Sequence, residues 1–313
     1  MSFSRIAILG PGLLGGSVGL AANGAGYEVI LWGRNPERVE ITRKIGLEAT
    51  TDLQVAVKEA DLIILSVPVG VMGLLLESIS GNLKPGAIVT DVGSVKALPH
   101  QVANKHAIPF IGSHPMAGSE QTGIEAARAD LFKGAACALT NDQERPNEEL
   151  QAVARFWEKL GCVISVMDSK DHDRAVARIS HLPHAMAVAT AAAGLRFPGD
   201  EFLSAGGFRD TTRVASGDPE MWAEIMVENR VAVTVALQDA QEEMREMLDH
   251  LAKSDKKGLQ SYLAEVKARK ENLYRTSKSI GWGFRITGTL HNQRNSLGRY
   301  CSAGSDLING YRD

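Results

Sequence analysis

His114 is the side chain in this sequence best suited to acid–base work. It sits in Gly112-Ser113-His114-Pro115-Met116-Ala117-Gly118-Ser119-Glu120, directly after the apolar run IPFI. A second polar segment, Gly93-Ser94-Val95-Lys96, follows the run AIVTD. Segments just beyond the carboxyl ends of strands are where open α/β sheets bind ligands. An imidazole there, with an unperturbed pKa near 6.5, can take the proton of an alcohol at neutral pH, which makes His114 the candidate general base. The alternative is a capping or turn histidine without chemistry. His181 and His184, three apart in SHLPH, hint at metal ligation, but no accepted metal spacing completes a set with His172, His114 or Cys162, so no metal is expected.

These segments need a scaffold, and the first half of the chain supplies one. The runs RIAIL, EVILW, DLIILSV, AIVTD and IPFIGS alternate with helical stretches, the punctuation of βαβ units. The unbroken apolar character of DLIILSV suits a parallel strand covered on both faces. A doubly wound, Rossmann-type α/β domain is expected over 1–166. RIAIL runs into Gly10-Pro11-Gly12-Leu13-Leu14-Gly15, a G-x-G-x-x-G turn between strand and helix. Gly10 permits the tight turn, Gly12 lets backbone N–H groups approach a pyrophosphate, and Gly15 lets helix and strand pack closely, with Leu13 and Leu14 opening the helix toward the anion.

The dinucleotide's identity is read after EVILW. Gly33 stands where an acid would bind the ribose hydroxyls of NAD, and Arg34 and Arg38 follow. Guanidinium groups make forked, charge-assisted bonds to phosphate, so NADP is expected over NAD, the alternative being two solvated surface charges. Ser66 and Pro68, closing DLIILSV and its turn, complete the expected cofactor contacts.

After Asp168 strand-like runs nearly vanish, and HAMAVATAAAG and the stretch from Met221 to Lys253 read as helix. An all-α domain is expected over 167–280. The second stretch is apolar on more than one face, more than a solvent-facing helix needs, which predicts a homodimer interface. Residues 281–313 carry no clear period and read as an irregular tail. With 34 Lys and Arg against 37 Asp and Glu the net charge is −3, leaving no basic field for nucleic acid or anionic membrane. Small-molecule partners fit better. Three cysteines without paired or metal-binding spacing, and no evident targeting segment, fit the cytoplasm.

Taken in order, GPGLLGGS, DVGSVK, GSHPMAGSE, ISHLPHA and GGFRDTTRVASGDPEMW resemble the prephenate and arogenate dehydrogenases of tyrosine biosynthesis, a likeness spanning roughly residues 5 to 250. The resemblance implies oxidative decarboxylation of a cyclohexadienol. His114 would accept the hydroxyl proton, with Ser94 bonded to the same hydroxyl. Arg213, of the TTR segment, would grip the ring carboxylate, a role its paired donors suit on physical grounds too. His184 would lie near substrate and His181 nearer the cofactor, while Trp222 would cross into a partner subunit's site. Asp173 is the candidate neighbour for the ammonium of arogenate, with Arg174 or Arg178 on its own helix as alternative partners. Rival readings are another two-domain hydroxyacid or imine dehydrogenase, and a non-catalytic NADP(H) sensor.

Overall fold

A computed structural model of the chain describes residues 2–118 and 121–279. The expected tail at 281–313, and Ser119 and Glu120, lie outside the described residues.

Five parallel strands form the first sheet: β1 (Arg5–Leu9), β2 (Glu28–Trp32), β3 (Glu48–Thr50), β4 (Leu62–Leu65) and β5 (Ile88–Asp91), in the order β3-β2-β1-β4-β5. The chain reverses across β1 between β3 and β4, the topological switch that places a ligand crevice at the strands' carboxyl ends. Helices α1 (Leu13–Gly24), α2 (Pro36–Lys44), α3 (Leu53–Val57), α4 (Val69–Ile79) and α5 (Ala97–Lys105) connect them. Ile6, Ile8, Leu62 and Ile64 belong to one buried layer, and Ala7, Leu9, Ile63 and Leu65 to the other. Successive residues of a strand face opposite sides, so burial on both faces requires the continuous apolar runs seen in the sequence.

A second sheet of β6 (Gly112–Pro115), β7 (Ala136–Thr140) and β8 (Val163–Met167) continues from β5 through a parallel bridge between Val89 and Phe110. β6 pairs antiparallel with β7, and β7 parallel with β8, with α6 (Asn147–Lys159) crossing over between them.

The remainder is helical: α7 (Ser169–Val176), α8 (Leu182–Gly194), α9 (Gly206–Thr212), α10 (Pro219–Glu228), α11 (Arg230–Ala252) and α12 (Lys256–Ser279). Between α7 and α8 the backbone winds as a π turn over Ala177–His181. Pro183 has no N–H to return to the carbonyl four residues back, so the ladder loosens there. The stretch from Met221 to Lys253, expected as one helical run, breaks at Asn229, which is buried at the junction of α10 and α11. Along α11 only Val233 and Ala236 are buried, whereas Val231, Val235, Leu248 and Leu251 are exposed. No helix among the described residues is long and apolar enough to cross a membrane.

Candidate active site

The glycine-rich turn is built as its spacing requires. Gly10 has φ 120°, and a Cβ there would collide with the Ser66 carbonyl. A Cβ on Gly15 would strike the Gly10 carbonyl, whereas one on Gly12 would meet nothing within 4 Å. The turn is therefore packed below and open above. Gly12 is the N-cap of α1, whose first turn, with Leu13 and Leu14, has no side-chain cap. Its leading N–H groups have no intrahelical partner and face the open side, the arrangement that receives a pyrophosphate.

That open side belongs to a cavity of about 760 Å³ lined by Gly10, Pro11, Gly12, Trp32, Gly33, Arg34, Asn35, Arg38, Ser66, Val67 and Pro68. A nicotinamide dinucleotide fits these residues. Gly33 packs so closely on Pro11 that an added Cβ would lie 2.6 Å from its ring. Arg34 and Arg38 are exposed at the rim, and among the described residues no carboxylate pairs with either. Asn35 caps α2 through the N–H groups of Glu37 and Arg38, which fixes where Arg38 leaves the helix.

His114 stands on β6, nine-tenths buried, and its Nδ1 lies 2.9 Å from Nε2 of His172. Nδ1 of His172 is 2.8 Å from Oδ1 of Asp173. A carboxylate can only accept, so His172 donates through Nδ1, and the neutral ring then has its lone pair at Nε2. His114 must then donate through Nδ1, leaving the lone pair on its own Nε2, where a base needs it. Burial first, then electrostatic repulsion from His172, Lys96 and His181 when these carry protons, hold the pKa of His114 well below the ordinary histidine value. It is thus an unprotonated imidazole at neutral pH.

The strand beneath His114 is anchored by a buried network. Lys96 is fully buried, and its ammonium bonds the Asp91 carboxylate and, at 2.8 Å, the Ser113 carbonyl. Asp91 also accepts from the backbone of Ser113 at 3.0 Å and of Gly93 at 2.9 Å. The Ser113 hydroxyl meets Thr90 at 2.5 Å and accepts from Trp157 Nε1 at 2.9 Å. Removal from water pushes the Lys96 pKa down, and the Asp91 charge opposes that. Ser94 lies half-buried between Gly93 and Lys96, on the loop these bonds hold.

Asp173, the candidate neighbour for a substrate ammonium, is buried, and its carboxylate is bound within the protein. Its Oδ1 also accepts from the Lys96 N–H at 2.8 Å and its Oδ2 from the Ala97 N–H at 2.9 Å, so both oxygens are engaged by His172 and the start of α5. Arg174 pairs with Asp171 instead.

His184 on α8 is buried and stacks flat on Trp222 of α10 in the same chain, centroids 3.7 Å apart and planes within 8°. Its Nδ1 is buried without a hydrogen-bond partner, and burial lowers its pKa. His181 is buried beside the edge of Trp222, and its Nδ1 lies 3.2 Å from Nδ2 of Asn229. Burial takes its pKa down to about 4. His181 is not among the residues lining the dinucleotide cavity. Arg213 opens a 3-10 turn, Arg213–Ser216, which packs on α8 alongside α9.

His172, Asp91 and Asn229 were not singled out by sequence as parts of this site, although the doublet His172-Asp173 carries a donor–acceptor signal. Asn229 Nδ2 donates to the Asp173 carbonyl at 2.8 Å, tying the break in the long helix to α7.

A glycine-rich turn on a parallel sheet, a cavity suited to a dinucleotide and a neutral histidine on the next strand edge define a two-domain nicotinamide-linked dehydrogenase. Two family models match the chain: the nucleotide-binding domain of prephenate dehydrogenase over residues 18–166 and its dimerization domain over 168–265. Among curated relatives, a cyclohexadienyl dehydrogenase of Zymomonas mobilis is 35% identical over 268 residues, covering 81% of this chain and 90% of the relative. A prephenate dehydrogenase of Lactococcus lactis is 33% identical, covering 84% and 75% respectively. Prephenate dehydrogenase from Aquifex aeolicus, solved in complex with hydroxyphenyl propionate and NAD+, superposes with TM-score 0.81 at 31% identity, over 87% of this chain and 99% of that one. Arogenate dehydrogenase from Synechocystis does so with TM-score 0.78 at 31% identity, over 86% and 99%. The chain belongs to the prephenate dehydrogenase family, and its activity is an oxidative decarboxylation linked to a nicotinamide cofactor.

Proposed function

We propose that this protein converts arogenate or prephenate to tyrosine or 4-hydroxyphenylpyruvate with NADP, using His114 as general base. The observation that carries the reading is the hydrogen-bonded chain from Asp173 through His172 to His114, which puts a lone pair on Nε2 of a neutral imidazole. When bound, the nicotinamide supplies the hydride acceptor. His114 Nε2 takes the hydroxyl proton as the carbinol carbon loses hydride. The resulting imidazolium is stabilised through His172 by the Asp173 charge. Ser94 hydrogen-bonds the same hydroxyl and orients it. Arg213 holds the ring carboxylate until its carbon leaves as carbon dioxide and the bonding pair completes the aromatic ring. General-base catalysis of this kind contributes about a hundred- to ten-thousandfold. His184 and Trp222 wall the substrate side.

Residues 1–166 serve the cofactor and 167–280 the substrate and a homodimer, the second supported by the apolar face of α11 and by the description of the matching family model. Arg34 and Arg38 favour NADP because two guanidinium groups beside Gly33, without a carboxylate partner among the described residues, suit a 2′-phosphate. The site acts in the cytoplasm, a reading the free, buried Cys137 and Cys162 support.

The test follows reduced-cofactor absorbance with purified protein, offering arogenate and prephenate separately, each with NADP and with NAD. Rapid turnover with NADP supports the reading and names the substrate. Silence of folded protein in all four mixtures overturns it.

A further inference from the structure

We propose that Glu224 is a positioning residue for cofactor binding, a latch through which the helical domain sets the wall of the dinucleotide cavity. Its carboxylate, on α10, accepts from the backbone N–H of Gly70 in the first turn of α4. A Cβ on Gly70 would lie 3.1 Å from Glu224 Oε1 and 4.0 Å from Glu228 Oε1, so two acids of α10 face that helix start.

Helix α4 begins directly after Ser66, Val67 and Pro68, which line the cavity. The same loop packs under the glycine-rich turn: the Ser66 carbonyl lies against Gly10, its hydroxyl 3.0 Å from a Cβ on Gly15, and Val67 2.9 Å from a Cβ on Gly10. Moving the first turn of α4 therefore moves the wall that supports the pyrophosphate turn. A carboxylate at a helix N-terminus is favoured by both the unpaired N–H groups and the helix dipole.

The arrangement repeats one described above. Asp173, also from the helical domain, holds the start of α5 through Lys96 and Ala97. The two helices that follow β4 and β5 are thus each gripped at the N-terminus by a carboxylate of the other domain. Asp173 is buried and fixed, whereas Glu224 is part-exposed, so the Glu224 contact is the one able to open when cofactor enters or leaves. Trp222, two residues earlier on α10, stacks on His184, so the element that touches the cofactor wall also forms the substrate wall.

This rests on the cavity belonging to a nicotinamide coenzyme. Dissociation constants for NADP+ and NAD+ are measured by calorimetry on the full chain, together with steady-state kinetics and amide exchange of the segment 66–76 without coenzyme, for wild type, Glu224→Ala and Glu224→Gln. Glu224→Ala should raise the Kd of whichever coenzyme wild type binds about five- to tenfold, the scale of one charge-assisted hydrogen bond at a part-exposed site, with a smaller fall in kcat. Exchange at the start of α4 should speed up. Glu224→Gln, whose amide oxygen still accepts from Gly70, should recover most of the loss. Unchanged Kd in Glu224→Ala, or Glu224→Gln as impaired as Glu224→Ala, overturns the latch. Failure of wild type to bind either coenzyme overturns the reading of the cavity itself.

Discussion

Replacing Asp173 by Asn probes the chain of hydrogen bonds behind His114 with a change of one atom. The carboxylate now accepts from three donors, His172 Nδ1, the Lys96 N–H and the Ala97 N–H. An amide offers one oxygen and one NH2, so whichever way it turns, one backbone N–H meets another donor. Leaving a buried donor unpaired costs about 1–3 kcal/mol of stability. The catalytic loss is separate. Two hydrogen bonds and the intervening ring put the carboxylate roughly 8 Å from the near nitrogen of His114, where unit charges attract by about 2 kcal/mol at an effective dielectric near 20. Losing that attraction for the imidazolium lowers kcat about thirtyfold. If the NH2 faces His172 the tautomer chain reverses and the lone pair leaves Nε2 of His114. A histidine held in the wrong tautomer costs about ten-thousandfold in serine proteases, which bounds the effect from above. Turnover and thermal unfolding of Asp173→Asn are measured together. A kcat within threefold of wild type in folded protein would refute the argument, because neither charge nor tautomer could then matter to the base.

The remaining predictions concern pH and cofactor. As the proposed base, His114 must be unprotonated, and its pKa lies well below 6.5, so kcat/KM should hold level through pH 6.5 and fall only further into acid; an acid limb centred at or above 6.5 contradicts this. His181 has a folded pKa of about 4 against 6.5 when unfolded, so the unfolded chain binds more protons between those values, and Tm should drop as pH falls from 6.5 toward 4. His181→Gln should flatten that slope, and an unaltered slope sinks the assignment. Replacing Arg34 and Arg38 together by Ala should raise KM for NADP about ten- to a hundredfold, the loss expected of exposed charge-assisted bonds, while KM for NAD moves less than threefold. Equal losses for both cofactors would remove these arginines from phosphate recognition.

What could be read from the sequence was what neighbouring residues decide. Within the turn, a Cβ on Gly15 would strike the nearby Gly10 carbonyl, so that spacing carried its meaning, whereas the Ser66 carbonyl that bars a Cβ on Gly10 comes from the distant end of β4. His114 was expected just past a strand ending in IPFI, whereas it stands within β6, because the chain stays extended over Gly112–Pro115 to pair with β7. The protonation of His114 was not legible, because it depends on His172, which lies 58 residues further along the chain. The charge of Asp173 was visible, but its partners at Lys96 and Ala97 lie 77 and 76 residues away, and no local pattern announces them. The division of the long helical stretch at Asn229 was likewise hidden, since the break is held by the Asp173 carbonyl from another helix. The π turn did have a local sign in Pro183, whose missing N–H predicts a fault in the ladder without saying that a wider turn forms.

The fully buried pairing of Lys96 with Asp91 bears on how sequences like this one can drift. Substituting either partner alone strands a charge away from water at a cost of about 3–5 kcal/mol, a large part of the roughly 5–15 kcal/mol that separates a native domain from its unfolded chain. Exchanging both for apolar groups of like volume is often neutral, but the path passes through one of those single changes. The two positions therefore behave as a single heritable character, retained by the demand for folding whether or not turnover is under selection. The pair therefore speaks first for the scaffold beneath β6, and for turnover only through it.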